Sequence, residues 1–409
     1  MDCLNNKQKS AVESVLNGDN IFLTGSGGTG KSFTIKYIID KLKEANKSYG
    51  LTATTGSAAS LIGGQTINSY LGIGLGNEKV CNIVKTIVKN NKLYKKLSNL
   101  DVLIIDEISM MCDEMFEYIC NTLSVIKSYN NKELLDVPFG GVQMIFVGDF
   151  CQLAPVKGSY CFLSPLWNKS NIKVVILEEL IRQTDDLLFQ KILNIVRKGR
   201  CTDNIIAVLE KLKNTEFAEN IIPTKLYPIN ADVEKINLIE INKLKSKGYK
   251  TITYNAFCNP GNEKKALLFN VELTEKSQIM ITRNIDIANG LINGTRGYIK
   301  KLFEDFVIIK DVNDNVHTIH YFKDIDINDK KSFISHIPIR TSYALSIHKS
   351  QGMTIDAVEL DLGNNIFAYG QTYTALSRAK NLNSIKIINI DKSSFNINPN
   401  VKKFYYSNS

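Results

Sequence analysis

Short apolar runs alternate along the chain with segments whose apolar residues recur at helical spacing, the pattern of parallel strands covered by helices. Runs at Ile21 to Thr24, Tyr49 to Ala53, Val102 to Ile105, Met144 to Val147 and Lys173 to Leu177 predict five buried strands and one doubly wound domain over residues 1–178. Lys225 to Ile229, Ser342 to Ser346, Val358 to Leu362 and Ile385 to Ile390 predict a second domain of the same kind, built from 179–254 and 339–409. A helix is expected from Ala231 to Lys247, with Val233, Ile236 and Leu244 inward, lysines in its last turn and Gly248 as its stop. Between these halves, 255–338 changes to β-rich alternation, as in Gln278-Ile-Met-Ile-Thr and Phe306-Val-Ile-Ile-Lys. Turn signals at Asn289-Gly290, Asn293-Gly294 and Asn313-Asp-Asn315 complete the picture of a small barrel-like insertion.

With 409 residues the chain can hold two or three domains, each with its own core. It has no run of about 18 apolar residues and no signal-peptide core at its start, so a soluble intracellular protein with no membrane contact is expected. Eight cysteines, at 3, 81, 112, 120, 151, 161, 201 and 258, form no C-x-x-C pair, which argues against a zinc ribbon or a disulfide framework. The one close histidine pair, His317 and His320, has no ligand cluster around it in the sequence. Net charge is +9, which suits a polyanionic partner but also describes a lysine-covered surface. Only seven of the fifty basic residues are arginine (182, 197, 200, 283, 296, 340 and 378), so the placement of each arginine carries information.

Gly25-Ser-Gly-Gly-Thr-Gly-Lys31-Ser32 follows the run Ile21-Phe-Leu23 and opens a stretch with helical spacing at Phe33, Ile35, Ile38, Ile39 and Leu42. Gly25, Gly28 and Gly30, with Thr29, let successive backbone N–H groups and the helix N-terminus converge on a phosphate chain. Lys31 would reach the β- and γ-phosphates, and the Ser32 hydroxyl would take a place on magnesium. The bland alternative is a glycine-rich turn, against which the strand before and the helix after both argue.

Asp106-Glu107 ends the run Val102-Leu-Ile-Ile105, so both carboxylates emerge at the C-terminal edge of a buried strand, where ligand chemistry in such sheets resides. The pattern assigns Asp106 to magnesium, through water, and Glu107 to deprotonating the water that attacks the γ-phosphate. A second strand, Met144-Ile-Phe-Val147, runs into Gly148-Asp-Phe-Cys-Gln152 at the same edge, where Gln152 could sense the γ-phosphate.

Further motifs occur in a fixed order: Leu4-Asn5-x-x-Gln8, Thr54-Thr-Gly-Ser-Ala-Ala59, Thr66-Ile-Asn-Ser-Tyr-Leu-Gly-Ile-Gly74, Asp106-Glu-Ile-Ser109, Phe139-Gly-Gly-Val-Gln143, Gly148-Asp-Phe-Cys-Gln152, Arg182-Gln183, Ile347-His-Lys-Ser-Gln-Gly352 and Tyr373-Thr-Ala-Leu-Ser-Arg378. In these residues the chain resembles the petite integration frequency (PIF) helicases, a branch of superfamily 1B close to RecD-like proteins, from Leu4 to Ile390. The resemblance implies an α/β fold of two RecA-like P-loop NTPase domains, with a β-rich SH3-like insertion in the second and a small wedge element near 57–75 in the first.

It further implies that Gln8 reads adenine, an amide being able to donate and accept on the N6/N7 edge together. Arg182 and Arg378 match arginines that reach the γ-phosphate, where a planar, permanently charged fork suits the charge gained on the equatorial oxygens. Gln351, with Gly352, bridges towards the nucleotide. Thr54, Thr55, Ser57, Thr66, Asn68, His348, Lys349 and Ser350 match segments that contact single-stranded nucleic acid or couple it to the nucleotide site, and hydroxyls, amides and backbone groups can hold phosphates without reading sequence. Asn68 stands where the family usually has His.

The expected activity is an ATP-dependent DNA helicase, with ATP and Mg2+ as cofactors, moving 5′-to-3′ on single-stranded DNA as a monomer and acting on tailed or forked DNA. Two other readings stand beside it: a translocase or RecD-like motor subunit that does not unwind alone, and a nucleotide-switched DNA-binding scaffold without turnover. The core begins near residue 1 and ends near its last motif, so a compact viral, phage or bacterial member is expected.

Overall fold

The computed structural model describes residues 4–179, 186–217, 222–228, 230–283, 285–286, 291, 294–312, 314–325 and 332–408. Contacts divide the chain into two units, one of 1–205, 367–377 and 392–409, the other of 206–366 and 378–391.

The first unit is built on six parallel strands, β1 (Ile21–Gly25), β2 (Tyr49–Ala53), β3 (Gln65–Thr66), β4 (Val102–Asp106), β5 (Gln143–Gly148) and β6 (Lys173–Leu177), in the order β3-β2-β4-β5-β1-β6. Strands β1 and β4 are buried along their whole length, as expected of a parallel sheet covered on both faces. Ile21, Leu23, Ile104, Ile145 and Val147 face the helices Asn6–Leu16 and Lys31–Glu44, whose Val12, Val15, Ile35 and Ile38 complete that core. The opposite face is aromatic. Phe22, Phe146 and Phe150 meet Phe116, Trp167 and Phe404, with Phe22 and Phe150 centroids 4.7 Å apart and Phe150 and Phe404 edge to face at 5.4 Å.

Five of these strands lie where the apolar runs predict them. The sixth, β3, is a two-residue edge strand pairing Thr52 with Gln65 and Ala53 with Thr66, too short to leave a periodic signal. Phe404 lies on the C-terminal helix Pro399–Ser407, and its aromatic contacts place 392–409 with the first unit. The helix Leu187–Arg197 also belongs there, although the sequence boundaries put both helices in the second domain.

The second unit holds a parallel four-stranded sheet in the order Ala344–Ser346, Thr224–Tyr227, Val358–Leu362, Ile385–Ile390. The run expected from Ser342 starts at Ala344 because the Ser342 N–H still donates to Gln278 in the neighbouring antiparallel sheet. Ile229, the expected end of another run, lies outside the described residues. Helix Asn230–Ser246 takes the predicted place. Strands of the insertion form an antiparallel five-stranded sheet, in the order Val316–His320, Phe306–Asp311, Arg296–Leu302, Gln278–Ile281, Ile339–Thr341, whose last strand lies just beyond the expected end at 338, around Leu273, Ile279, Ile299, Val307 and Ile319. Asn289, Gly290, Asn293 and Asn313 of the turn signals lie outside the described residues. Among the described residues no helix is long and apolar enough to cross a membrane.

Candidate active site

Strand β1 ends at Gly25, and a helix starts at Lys31 behind Gly30. Gly28 and Gly30, with φ of 90° and 83°, both lie in the left-handed region that glycine tolerates, so the loop can double back before the helix begins. Gly28 thus stands in the loop where the phosphate-binding pattern expects it, as a bend that a side chain would strain. At Gly25 a Cβ would fall 2.5 Å from the Leu177 carbonyl oxygen and 2.7 Å from Thr29 Oγ1, so no side chain fits. Among the described residues no side chain caps the helix, which leaves its first N–H groups for an anion. Thr29 Oγ1 donates to the Ser26 carbonyl at 2.9 Å, and Lys31 Nζ donates to the carbonyls of Gly25 and Ser26 at 2.8 and 3.0 Å. Burial lowers the Lys31 pKa, opposed by the charges of Asp149, Glu107 and Asp106. Ser32 follows on the first turn, exposed.

Asp106 closes β4, and because all six strands are parallel it emerges at the same sheet edge as the loop. Its Oδ1 accepts the Glu107 N–H at 2.8 Å. Burial, followed by the Glu107 charge, pushes the Asp106 carboxyl up, with that N–H and Lys31 opposing. Glu107 has φ 52° and ψ 43°, a left-handed conformation uncommon for a residue with a side chain. Thr54 holds it there. The Thr54 N–H donates to Asp106 O at 3.2 Å and its Oγ1 to Glu107 O at 2.8 Å.

Among the described residues no group of three or more His, Cys, Asp or Glu could cage a metal alone. That suits magnesium, which is commonly held by one or two protein oxygens together with phosphate oxygens and water. The donors present, Asp106 and Ser32, fit that demand. Two buried amides fit a nucleotide as well. Gln8, 1% exposed, accepts the Asn5 N–H through Oε1 at 3.1 Å in a capping box, and its Nε2 has no partner among the described residues. Gln152, 4% exposed, has an Oε1 with no partner among the described residues. Such orphaned groups cost free energy unless a ligand or water meets them.

The residues matched to nucleic-acid contacts fall in two places. In the first unit Thr55 Oγ1 accepts the Ala58 N–H at 3.2 Å, and Thr66 Oγ1 caps the helix Ile67–Leu71 by accepting from Ser69 at 3.3 Å. Asn68 Nδ2 donates to Gly74 O at 2.7 Å, and Ser57 lies on the helix Gly56–Leu61 with its side chain outside the description. In the second unit His348, Lys349, Ser350, Gln351 and Gly352 form the turn after Ala344–Ser346. Lys349 is exposed, His348 is half-buried with its pKa lowered by burial, and the Ser350 hydroxyl is buried and donates to Ile347 O at 2.8 Å. Arg378, 4% exposed, donates from Nη1 to the carbonyls of Ser350 and Met353 at 3.5 and 3.3 Å. The hydroxyls of Thr54 and Ser350 are thus committed to backbone carbonyls, so these two residues shape their turns. Arg182 lies outside the described residues.

Sequence reasoning passed over Asp149, Arg197 and Tyr373, which cluster behind the loop. The rarity of arginine was the available signal for Arg197, but its partners are distant in sequence. His317, half of the close histidine pair, bonds Asp311 Oδ2 at 2.9 Å.

A glycine-rich loop between a buried strand and a helix, with an Asp-Glu pair at the adjacent parallel strand end, defines a P-loop nucleoside-triphosphatase. The model of the PIF1-like helicase family matches residues 3–206, and that of the DNA helicase Pif1 2B domain matches 272–302. The ATP-dependent DNA helicase PIF1 of Xenopus laevis is 34% identical over 98% of this chain and 64% of its own, so this chain spans less than two thirds of that relative. The crystal structure of Pif1 helicase from Candida albicans superposes with a TM-score of 0.84, 30% identity and complete coverage of both chains. That of the Bacteroides Pif1 helicase in complex with ADP-AlF3 and ssDNA gives 0.71 and 25%, covering 99% of this chain and 97% of the other. The chain belongs to the PIF1-like helicase family.

Proposed function

We propose that the chain is an ATP-dependent DNA helicase that moves 5′-to-3′ along single-stranded DNA, as a monomer, and opens tailed or forked duplexes. The observation that carries this reading is the convergence of Lys31, Asp106 and Glu107, with Gln152, at the C-terminal edge of one parallel sheet. The relatives' names and the complex of Bacteroides Pif1 with ADP-AlF3 and ssDNA support it.

In this reading Lys31 exchanges the carbonyls of Gly25 and Ser26 for the β- and γ-phosphates, and the uncapped helix N-terminus receives the same chain, with the bends at Gly28 and Gly30 letting the loop close around it. Gln8 offers its unspent Nε2 to adenine. Ser32 and Asp106 would hold magnesium, which would supply positive charge against the phosphates. Glu107, aimed by its left-handed backbone, takes the proton of the attacking water, and Gln152 offers an unspent acceptor at the same edge. Arg182 and Arg378 stabilise charge on the transferred phosphoryl group. Thr55, Ser57, Thr66, Asn68, His348, Lys349 and Ser350 belong to the segments that meet the strand. Thr54 joins these two functions, standing in a strand-contact segment while bonding the catalytic turn.

ATP hydrolysis measured with and without single-stranded DNA tests the reading. Turnover that rises with DNA is expected; binding of ATP and DNA without turnover would contradict it. DNA-stimulated turnover that never separates a duplex would favour the translocase.

A further inference from the structure

Asp149, at the end of β5, has no exposed surface, and its two oxygens collect five donors. Arg197 grips both, Nε to Oδ2 and Nη2 to Oδ1, each at 2.9 Å. The Tyr373 hydroxyl donates to Oδ2 at 3.0 Å, the Tyr405 hydroxyl to Oδ1 at 3.1 Å, and the Cys151 N–H to Oδ1 at 3.1 Å. Burial alone would raise the Asp149 pKa, but the Arg197 charge and bond, the Lys31 charge and the Cys151 N–H hold it below the usual carboxylate range. Burial and the Asp149 charge keep both tyrosines well above their ordinary value, so each remains a protonated donor.

Each hydroxyl also reaches the phosphate loop or the strand that feeds it. Tyr373 O accepts the Gly27 N–H at 3.2 Å, in the middle of the loop. Tyr405 O accepts the Phe150 N–H at 3.2 Å and lies 2.6 Å from Thr24 Oγ1, on the residue before Gly25. The Arg197 guanidinium covers the Tyr405 ring, 4.7 Å from its centroid. Asp149 is also the first of the charges that offset the burial of Lys31. A single buried carboxylate therefore ties the loop to three helices, Leu187–Arg197, Gln371–Leu376 and Pro399–Ser407.

We propose that Asp149, Arg197, Tyr373 and Tyr405 are positioning residues for ATP hydrolysis, with Tyr373 fixing the phosphate loop through Gly27 and Arg197 and Tyr405 fixing Asp149 and the end of β1. The proposal rests on the hydrolysis reading above. It makes the C-terminal helix part of the nucleotide site, although no residue of that helix is expected to touch nucleotide. Bidentate pairs on a fully buried carboxylate, as here, are costly to build and resist replacement by one-point contacts, which is the property a geometric support requires.

The test uses the full chain and its Tyr373→Phe, Tyr405→Phe and Arg197→Lys variants, with kcat and KM for ATP measured at saturating single-stranded DNA. Circular dichroism fixes a temperature at which each variant is folded. Tyr373→Phe should lower kcat about tenfold while KM moves by less than about threefold, because a displaced loop harms the transition state more than ground-state binding. Tyr405→Phe and Arg197→Lys should lower kcat in the same direction, and the Tyr373→Phe/Tyr405→Phe double variant should lose little more than Tyr373→Phe alone, as members of one chain of contacts do. Folded variants with kcat within about twofold of wild type, or losses that multiply in the double variant, would overturn the proposal. Wild-type protein without turnover would instead overturn the hydrolysis reading, and the proposal with it.

Discussion

The hydroxyl of Thr54 donates to the main-chain carbonyl of Glu107 at 2.8 Å. Strands β2 and β4 pair in parallel with Ala53 opposite Asp106, so the next residue of each strand leaves the sheet at the same level, and Thr54 meets Glu107 there. The carboxylate expected to activate water is therefore held in its left-handed turn by a residue from a segment expected to meet the DNA strand. A displacement of that segment would reach the Asp106-Glu107 turn through the Thr54 hydroxyl and its main-chain N–H.

Thr54→Val keeps the size of the side chain and deletes the bond, leaving Glu107 freer, at a stability cost of about 1 kcal/mol. DNA-stimulated kcat should fall while the affinity for ATP stays unchanged, as read by stopped hydrolysis assays and equilibrium nucleotide binding. An unchanged kcat would show that the bond does not aim Glu107.

Glu107→Gln should lower turnover by roughly 10² to 10⁴, the contribution typical of a general base, and still bind ATP. Lys31→Ala should lose both turnover and tight nucleotide binding, since it removes the only loop side chain expected to reach the phosphates. Robust hydrolysis by either variant would remove these residues from their roles.

Replacing Asp149 by Asn leaves Arg197, its side chain 13% exposed, without its counter-charge. Breaking a buried pair from one side costs about 3–5 kcal/mol, which denaturant unfolding should show. The Asp149→Asn, Arg197→Met double variant should be less destabilised than Asp149→Asn, because no unpaired charge remains. Equal losses in the two would mean that the pair is not held as a unit.

In the second unit Asp324 bonds Arg283 and His336. Burial pushes its carboxyl up, but the bonds from His336 and Arg283 prevail and draw it from 3.8 down to about 2. A depressed carboxyl contributes stability that is fully present above its unfolded value and is lost as pH falls through 3.8 towards about 2. Asp324→Asn should flatten the fall of the unfolding midpoint across that interval. Parallel slopes for the two proteins would contradict the assignment.

Strands with continuous apolar runs were legible in the sequence because burial on both faces demands such runs, as at Val102 to Ile105 and Met144 to Val147. The loop and the Asp106-Glu107 pair were equally legible, since contiguous residues carry the chemistry. Edge strand β3 was not, having two residues and no periodicity. Nor was the attachment of Pro399–Ser407 to the first unit, which rests on Phe404 and Tyr405 meeting residues more than 200 positions earlier. The Asp149 cluster escaped for the same reason. Its members lie just after β5 and on three separate helices, and only packing brings them together.

Strand displacement on tailed duplexes tests the central claim most directly. With ATP, the chain should separate a duplex carrying a 5′ single-stranded tail and leave one carrying only a 3′ tail intact. Separation of the 3′-tailed duplex alone would reverse the polarity, and failure on both, beside DNA-stimulated ATP hydrolysis, would contradict a helicase that unwinds by itself.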